Sequence, residues 1–204
     1  MTEVTISTQN SKAGIRAAVL RHRQSRSNSS LAEQSRLISE HLRSLPLFQS
    51  VDIVASYTSW PSEPATTELN YALLKRGAIL LLPAGGIEPR WRLLSSRSGF
   101  CDFAQNDEMA TVEREDGKMY PPQVLREAEI IIVPALAVDY RGTRLGRGAG
   151  WYDRMLVHKK PDATVISLLF EGEYLSDKLL PRDEHDFPMN YAVTPQAVHK
   201  VGPR

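Results

Sequence analysis

The sequence predicts an α/β fold, a single domain in which helices cover a largely parallel sheet. Four short, continuously apolar runs are bounded by proline, glycine or charge and alternate with amphipathic segments. Runs that are apolar at every position are typical of strands buried on both faces, as in parallel sheets. The chain has 204 residues, 42% of them hydrophobic and 24% charged, which suits one soluble domain with an ample core. We therefore expect one domain over residues 1–204.

The elements follow in chain order from these patterns. The predicted strands are 53–57, 79–82, 130–133 and 165–170, and the predicted helices are 11–24, 31–44, 67–76 and 150–159. Ser30 and Glu33 have the spacing of a capping box at the start of the second helix. Residues 84–123 are rich in Gly, Arg, Glu and Pro, and we expect a hairpin there with 91–94 as one strand.

Composition excludes several classes of protein. A net charge of +1 gives no indication of a nucleic-acid or membrane partner. The single cysteine, Cys101, excludes an intramolecular disulfide and a thiolate-rich metal site. Residues 1–12 lack the apolar run of a secretion signal, and no apolar stretch has the length of a membrane span. We therefore expect a monomeric, cytoplasmic protein.

The segment 144–154, RLGRGAGWYDR, carries most of the functional information. Its glycines alternate with other residues, which frees the backbone to turn and to approach a ligand closely. Arg144 and Arg147 supply positive charge, and Asp153 falls where a helix should begin. Bare amides and arginines suit a polyphosphate, and a carboxylate beside them suits magnesium. The alternative is an ordinary turn with solvated arginines, since the spacing matches neither standard phosphate-binding loop.

The position of the segment 144–154 in the predicted fold favours a nucleotide-binding site over an ordinary turn. In open α/β sheets ligands bind beyond the carboxyl ends of the strands. The segment follows the strand 130–133, while Thr58, Trp60 and Glu63 follow the strand 53–57. A third chemically rich segment, 171–186, follows the last predicted strand. These three segments are expected to converge at one edge of the sheet.

The first helix is basic throughout. Five basic residues and no acidic residue lie between Val4 and Ala32. Lys12 and Arg16 are four residues apart, so they share one helix face and are candidates to reach the phosphates. The alternative is a solvated basic face. Arg21, Arg23 and Arg26 are assigned to that solvated face.

The other candidates are acidic and aromatic. Glu63 is placed to accept hydrogen bonds from an amino-bearing heterocycle, or simply to favour the start of the next helix. Trp60 offers a stacking face, although tryptophans also serve packing. Asp186 is a candidate to join Asp153 around a metal, and His185 is expected to be structural or superficial. Metal-binding histidine spacing is absent from the sequence, which favours magnesium over zinc.

With these residues in hand, the chain resembles the 5-formyltetrahydrofolate cyclo-ligase family, also called 5,10-methenyltetrahydrofolate synthetases. The resemblance is carried by the Lys12/Arg16 helix, the loop 63–66, VPALAVDYRGTRLGRGAGWYDR over 133–154, and the closing LPRDEHDFP. It implies a three-layer α/β/α fold like that of sugar-phosphate isomerases and CoA transferases. It also implies conversion of 5-formyltetrahydrofolate to 5,10-methenyltetrahydrofolate with ATP, magnesium, and release of ADP and phosphate.

The resemblance also implies roles for individual residues. The ATP-binding residues would be Lys12, Arg16, Arg144, Leu145, Gly146, Arg147, Gly148, Ala149, Gly150, Trp151 and Tyr152. The folate-binding residues would be Thr58, Glu63, Arg147, Gly148, Ala149, Gly150 and Trp151. The catalytic residues would be Arg147 and Lys12, and the magnesium ligands would be Asp153 and Asp186.

The chain departs from the family pattern at three places. Trp151 replaces the first tyrosine of the usual aromatic pair, and Asn190 stands where many members have an acidic residue. Residues 115–122 retain little of a family motif, so the substrate contacts that the resemblance implies are least transferable over residues 96–123.

Two rival functions therefore stay open. One is a diverged ATP-dependent paralogue acting on another formyl or carboxyl compound, and the other is a non-catalytic module that binds phosphometabolites or polyanions.

Overall fold

The computed structural model describes residues 11–84, 89–95, 119–183 and 186–202. Cys101, His185 and most of the segment 96–123 lie outside the described residues. The described helices are α1 Lys12–Gln24, α2 Asn28–Ser44, α3 Thr67–Lys75 and α4 Trp151–Leu156. The described strands are β1 Ile53–Ala55, β2 Ile79–Ala84, β3 Arg90–Leu94, β4 Met119–Tyr120, β5 Ile130–Pro134, β6 Ala137–Asp139, β7 Arg144–Leu145, β8 Thr164–Leu168, β9 Tyr174–Leu175, β10 Tyr191–Val193 and β11 Val198–Lys200. None of these helices has the length and apolar character needed to cross a membrane.

Eight strands form the main sheet, in the order β11-β10-β8-β5-β1-β2-β3-β4. The neighbours β2, β1, β5, β8 and β10 all pair in parallel. The strands at the two ends, β3, β4 and β11, pair antiparallel. The predicted α/β class and largely parallel sheet are confirmed, and the predicted strand 91–94 is present as β3, which pairs antiparallel with β2 and β4.

Both faces of the sheet are covered, which makes the fold three-layered. Alternate side chains of β5 face opposite clusters, with Ile132 packing among the apolar residues of α2 and α3. Val133 faces the other cluster, with Met155 and Leu156 of α4. Because every side chain of such a strand is buried, its sequence is apolar at every position.

A second, three-stranded sheet was not predicted. It has the order β7-β6-β9, with β6 and β7 antiparallel and β6 and β9 parallel. The buried residues Ile15 and Val19 of α1 pack in one cluster with Leu145 and Leu175 of this sheet. Helix α1 therefore lies against the small sheet rather than on a face of the main sheet.

Two helix boundaries differ from the sequence prediction by three residues, and the others agree to within one residue. The Ser30–Glu33 capping box was wrong, because α2 begins at Asn28 and Ser27 caps it by accepting a hydrogen bond from the amide of Ser30 at 3.2 Å. Ser27 offers the same hydroxyl as Ser30 one turn earlier, and nothing between them breaks the helix. Helix α4 ends at Leu156 rather than at position 159.

Replacing Ser27 with alanine is expected to destabilise the protein by about 1 kcal/mol, because the first turn of α2 loses its side-chain acceptor. The matched variant Ser30→Ala lies inside the helix, where alanine is favourable, and should change stability by less than about 0.5 kcal/mol. Urea unfolding of both variants measures the difference. Equal losses, or a larger loss for Ser30→Ala, would contradict this assignment of the cap.

Candidate active site

A cavity of about 740 Å³ opens at the carboxyl edge of the parallel strands. Its wall comes from α1, from the segments that follow β1 and β5, from β7, the start of α4 and the segment between them, and from Asp183 and Asp186. The size is within the range of small-molecule sites. The sequence-predicted site residues all line it: Lys12, Arg16, Thr58, Glu63, Arg144, Leu145, Gly146, Arg147, Gly148, Ala149, Gly150, Trp151, Tyr152, Asp153 and Asp186.

Residues 146–150 form the segment that we call the glycine–arginine loop. Gly148 has φ +103° and Gly150 has φ +63°, and the latter caps the start of α4. This left-handed backbone is costly for residues that carry a Cβ. A Cβ at Gly146 would lie 2.7 Å from Nη1 of Arg144. The alternating glycines thus serve both the turn and the close packing of an arginine.

Helix α1 presents two cations to the cavity. The Lys12 ammonium donates to Oδ2 of Asp183 at 2.7 Å and to Oδ2 of Asp186 at 2.9 Å. Arg16 Nε donates to the carbonyl of Gly146 at 2.8 Å. These contacts favour the site interpretation of Lys12 and Arg16 over a solvated basic face. Asp183 also lines the cavity and was missed from the sequence.

Electrostatics within the Lys12 cluster favour the charged forms. Partial burial by itself raises the pKa of Asp186, but the amide of Asp183 and the Lys12 ammonium outweigh it and hold that pKa below its usual value. For Lys12, burial lowers the pKa, yet hydrogen bonds to Asp183 and Asp186 raise it above the usual value overall. Both partners are therefore ionised near neutral pH.

Two of the three arginines of the segment 144–154 are also paired with carboxylates. Arg144 Nη2 donates to Oδ1 of Asp153 at 2.8 Å. Arg147 Nε donates to Oε1 of Glu63 at 2.9 Å, and its Nη2 donates to Oγ of Ser62 at 2.8 Å. The second oxygen of Glu63 accepts the amide of Trp60 at 3.1 Å. Glu63 is buried at 6% exposure, and each of its carboxylate oxygens has a partner within the chain.

The aromatic residues divide into packed and exposed ones. The Trp151 ring meets Trp91 edge to face at a centroid distance of 5.4 Å and Tyr152 at 4.8 Å. Burial, reinforced by the negative charge of Glu63, raises the pKa of Tyr152, so its phenol stays protonated. Trp60 is 64% exposed at the rim of the cavity. Of these aromatics, Trp60 has the most surface free for a flat ligand.

Asn190 takes no part in the cavity lining. Its side-chain oxygen accepts the amide of Val165 at 2.7 Å. Val165 lies near the start of β8, at the amino edge of the parallel strands and therefore on the opposite side from the cavity. An acidic residue at this position would not reach the pair Asp153 and Asp186 without a change in the backbone.

The assignment of Arg23 and Arg26 to a solvated face was wrong. Arg23 is only 1% exposed, and its guanidinium is held by Glu173 at 2.7 and 2.8 Å. Arg26 is partly buried and donates to Gln34 at 2.7 Å, whereas Arg21 is exposed as expected. A signal for Arg23 exists in the sequence, because it falls four residues after apolar Val19 on the same helix face. No sequence signal separates the buried Glu173 from its neighbours.

The carboxylates of the cavity fit a magnesium ion. Asp153 and Asp186 both line it, and two carboxylates together with phosphate oxygens and water make up a typical magnesium shell. In the described part of the chain, no cluster of three or more His, Cys, Asp or Glu side chains is arranged to hold a metal. The carboxylates of Asp153 and Asp186 offer oxygen atoms, the kind of donor that magnesium prefers.

Known proteins resemble this chain over most of its length. The model of the 5-formyltetrahydrofolate cyclo-ligase family matches residues 8–195. A 5-formyltetrahydrofolate cyclo-ligase from Mycolicibacterium smegmatis is 34% identical over 197 residues, covering 91% of this chain and 94% of that protein. The mouse enzyme of the same name is 24% identical and covers 93% and 95% of the two chains.

Solved structures show the same likeness. The 5,10-methenyltetrahydrofolate synthetase of Aquifex aeolicus superposes with a TM-score of 0.73 at 27% identity, covering 95% of this chain and 94% of that one. The Mycoplasma pneumoniae protein, at 15% identity and a TM-score of 0.70, shares the fold over 91% and 99% of the two chains. With its fold and nearly its whole length matched, this chain belongs to the 5-formyltetrahydrofolate cyclo-ligase family.

Proposed function

We propose that this enzyme converts 5-formyltetrahydrofolate to 5,10-methenyltetrahydrofolate, using ATP and magnesium and releasing ADP and phosphate. The observation that carries the proposal is a single cavity that combines the glycine–arginine loop, four cationic side chains and the carboxylates Asp153 and Asp186. The names of the bacterial and mouse relatives support the same substrate. We expect the enzyme to act as a cytoplasmic monomer.

The chemistry explains why ATP is needed. The carbonyl carbon of an N-formyl group is a poor electrophile, because the nitrogen lone pair is delocalised into it. Transfer of the γ-phosphoryl group to the formyl oxygen releases ADP and turns that oxygen into part of a leaving group. N10 then attacks the carbon, the C–O bond breaks, and phosphate departs, while the N10 proton is taken up by phosphate or water. No protein nucleophile is required.

Phosphoryl transfer depends mainly on positioning and on neutralising charge. Lys12, Arg16 and Arg144 are proposed to hold the phosphates together with the amides of the glycine–arginine loop. Arg147 extends from that loop toward Ser62 and Glu63 and is half exposed, so it can follow the transferred group. Lys12 and Arg147 are accordingly proposed as the catalytic cations.

Asp153 and Asp186 would hold the magnesium ion, which when bound neutralises charge on the phosphates. In the structure each of these carboxylates is bonded to a cation, Arg144 or Lys12. We propose that the cations turn to the phosphates when ligands bind, which frees the carboxylates. Glu63 is freed in the same way when Arg147 leaves it.

The folate is proposed to lie along Thr58, Glu63 and the segment 147–151, all of which line the cavity. Glu63 would accept hydrogen bonds from the amino-bearing pterin, since a charged carboxylate is a strong acceptor. The exposed Trp60 stands at the rim beside these residues. It offers a face on which an aromatic ring of the substrate can stack.

The direct test is turnover of 5-formyltetrahydrofolate by the purified protein with ATP and magnesium. We expect the near-UV absorbance of the methenyl product to rise, and to stay flat when either ATP or magnesium is omitted. Competition with other formyl compounds distinguishes a diverged paralogue. Absence of product from protein that still binds ATP would refute the proposed reaction.

Asp153→Asn tests the metal role. Loss of a charged ligand is expected to raise the magnesium concentration for half-maximal rate by at least roughly 10-fold. The matched control is Asp162→Asn, because Asp162 is exposed and does not line the cavity. Magnesium titrations of the two variants provide the comparison, and an unchanged requirement in Asp153→Asn contradicts the assignment.

The ion pair of Lys12 and Asp186 should give the metal-free protein a pH-dependent stability. Because the folded protein lowers the pKa of Asp186, the carboxylate stabilises it above the unfolded value near 3.8 and ceases to do so as pH falls through the folded pKa. Lys12, whose pKa is raised, loses its contribution only as pH rises past its folded pKa, above 10.5.

The expected difference in unfolding free energy between wild type and Asp186→Asn is therefore constant from roughly pH 5 to 9 and shrinks in acid. Denaturant unfolding in a chelating buffer measures it, with Asp162→Asn as the control that shows little difference at any pH. A difference that grows as the pH falls below 4 would exclude this ion pair as its source.

A further inference from the structure

Arg23 is a fully buried cation near the cavity to which the proposed chemistry gives no role. Its guanidinium binds Glu173 in bidentate fashion, Nε to Oε1 at 2.8 Å and Nη2 to Oε2 at 2.7 Å. Nη2 also donates to the carbonyl of Ala135 at 2.7 Å, and Nη1 donates to the carbonyl of Ser62 at 2.9 Å. The planar fork of an arginine is suited to such simultaneous contacts, and a lysine is not.

These acceptors lie on three different segments of the chain. Ser62 follows β1, Ala135 follows β5, and Glu173 follows β8. The three strands are neighbours in the main sheet and all run parallel. Their carboxyl ends therefore meet at one edge, and Arg23 joins the three segments that leave it.

Arg23 also determines where the cations of α1 lie. At 100° per residue, Lys12, Arg16 and Arg23 fall within an arc of about 40° on one helix face. Toward the C-terminal end of that face, Arg23 donates to the carbonyl of Ser62. Toward the N-terminal end, Arg16 donates to the carbonyl of Gly146. Nη2 of Arg147 donates to the hydroxyl of Ser62, which links the glycine–arginine loop to the same residue. The contacts close a ring around the cavity, and Arg23 is the buried member.

Stability alone does not account for this arrangement. A buried ion pair loses much of its attraction to desolvation, and an apolar pair of similar volume often holds a core equally well. An apolar pair lacks donors for the carbonyls of Ser62 and Ala135, which then lose their bonds to α1. The special capacity of Arg23 is therefore to fix main-chain groups beside the site.

We propose that Arg23 is a positioning residue for the reaction. Through Glu173 and the carbonyls of Ser62 and Ala135, it holds α1 and the segment bearing Glu63 at the spacing that lets Lys12, Arg16 and Arg147 act together. The inference rests on the proposed function. Arg23 itself does not line the cavity.

The experiment compares Arg23→Lys, Arg23→Met and the double variant Arg23→Met/Glu173→Met with wild type. The control is Arg36→Met, an exposed ion pair on α2 that lies away from the cavity. For each protein we would measure the melting temperature, kcat, both KM values and, by calorimetry, the affinity for ATP. The kinetic and binding measurements use a temperature at which all variants are fully folded.

Arg23→Met leaves Glu173 buried and uncompensated, and its melting temperature should fall by roughly 10 °C. The double variant should regain most of that loss while kcat/KM stays reduced by about 10²-fold, as misplacement by about 1 Å can produce. Arg23→Lys keeps a charge beside Glu173 but not the fork, so it should fold, with kcat lowered by about 10-fold and weaker ATP binding.

A double variant that regains both stability and activity would show that Arg23 is merely structural and overturn the proposal. If the double variant does not fold, Arg23→Lys is the variant that tests the proposal. A folded Arg23→Lys protein with the kcat, KM values and ATP affinity of wild type would overturn it. If wild type binds ATP but forms no methenyl product, the proposed reaction fails separately. The positioning role is then supported by weaker ATP binding in Arg23→Lys and overturned by equal binding.

Discussion

The parallel pairing of β1, β5 and β8 is the constraint on which the rest of the structure depends. Strands that run in the same direction end at the same edge, so the segments that leave them must emerge side by side. The sheet is covered by apolar clusters on both faces, which leaves this edge as the place where polar segments converge. The small sheet and α1 pack beside it, and α1 is thereby placed where its basic face meets the loops.

Three of the four cationic side chains that line the cavity are paired with carboxylates of the chain. Lys12 is paired with Asp186, Arg144 with Asp153, and Arg147 with Glu63. Pairing offsets the desolvation cost of several partly buried charges near one another. In the proposed reaction, a triphosphate would take over the cations and a divalent cation the carboxylates, so that both ligands would replace internal partners together. Arg23 and Glu173 form a fourth pair that is wholly buried, and for that reason it serves the framework rather than the ligands.

Much of the site was accessible from the sequence because its signals are local. Alternating glycines, interleaved arginines and an aspartate at a helix start all lie in one segment, and Lys12 and Arg16 are one helical turn apart. Each of them lines the cavity. Asp183 and Glu173 were not predicted, because the local sequence around an acidic loop residue does not show whether its carboxylate faces solvent or pairs with a cation from a distant segment. Arg23 was misassigned for a related reason, since basic residues are usually solvated and its acceptors lie 39 to 150 positions away.

By itself, the sequence determined the α/β class, the parallel strands, the four helices and the segment that lines the cavity. These depend on hydrophobic periodicity and on backbone requirements that act over a few residues. Tertiary structure alone decided the small sheet, the placement of α1 against it, the partners of the charged groups in the cavity and the partners of Arg23. Hydrogen bonds and ion pairs between segments distant in the chain leave no periodic trace, because they depend on which strand ends become neighbours.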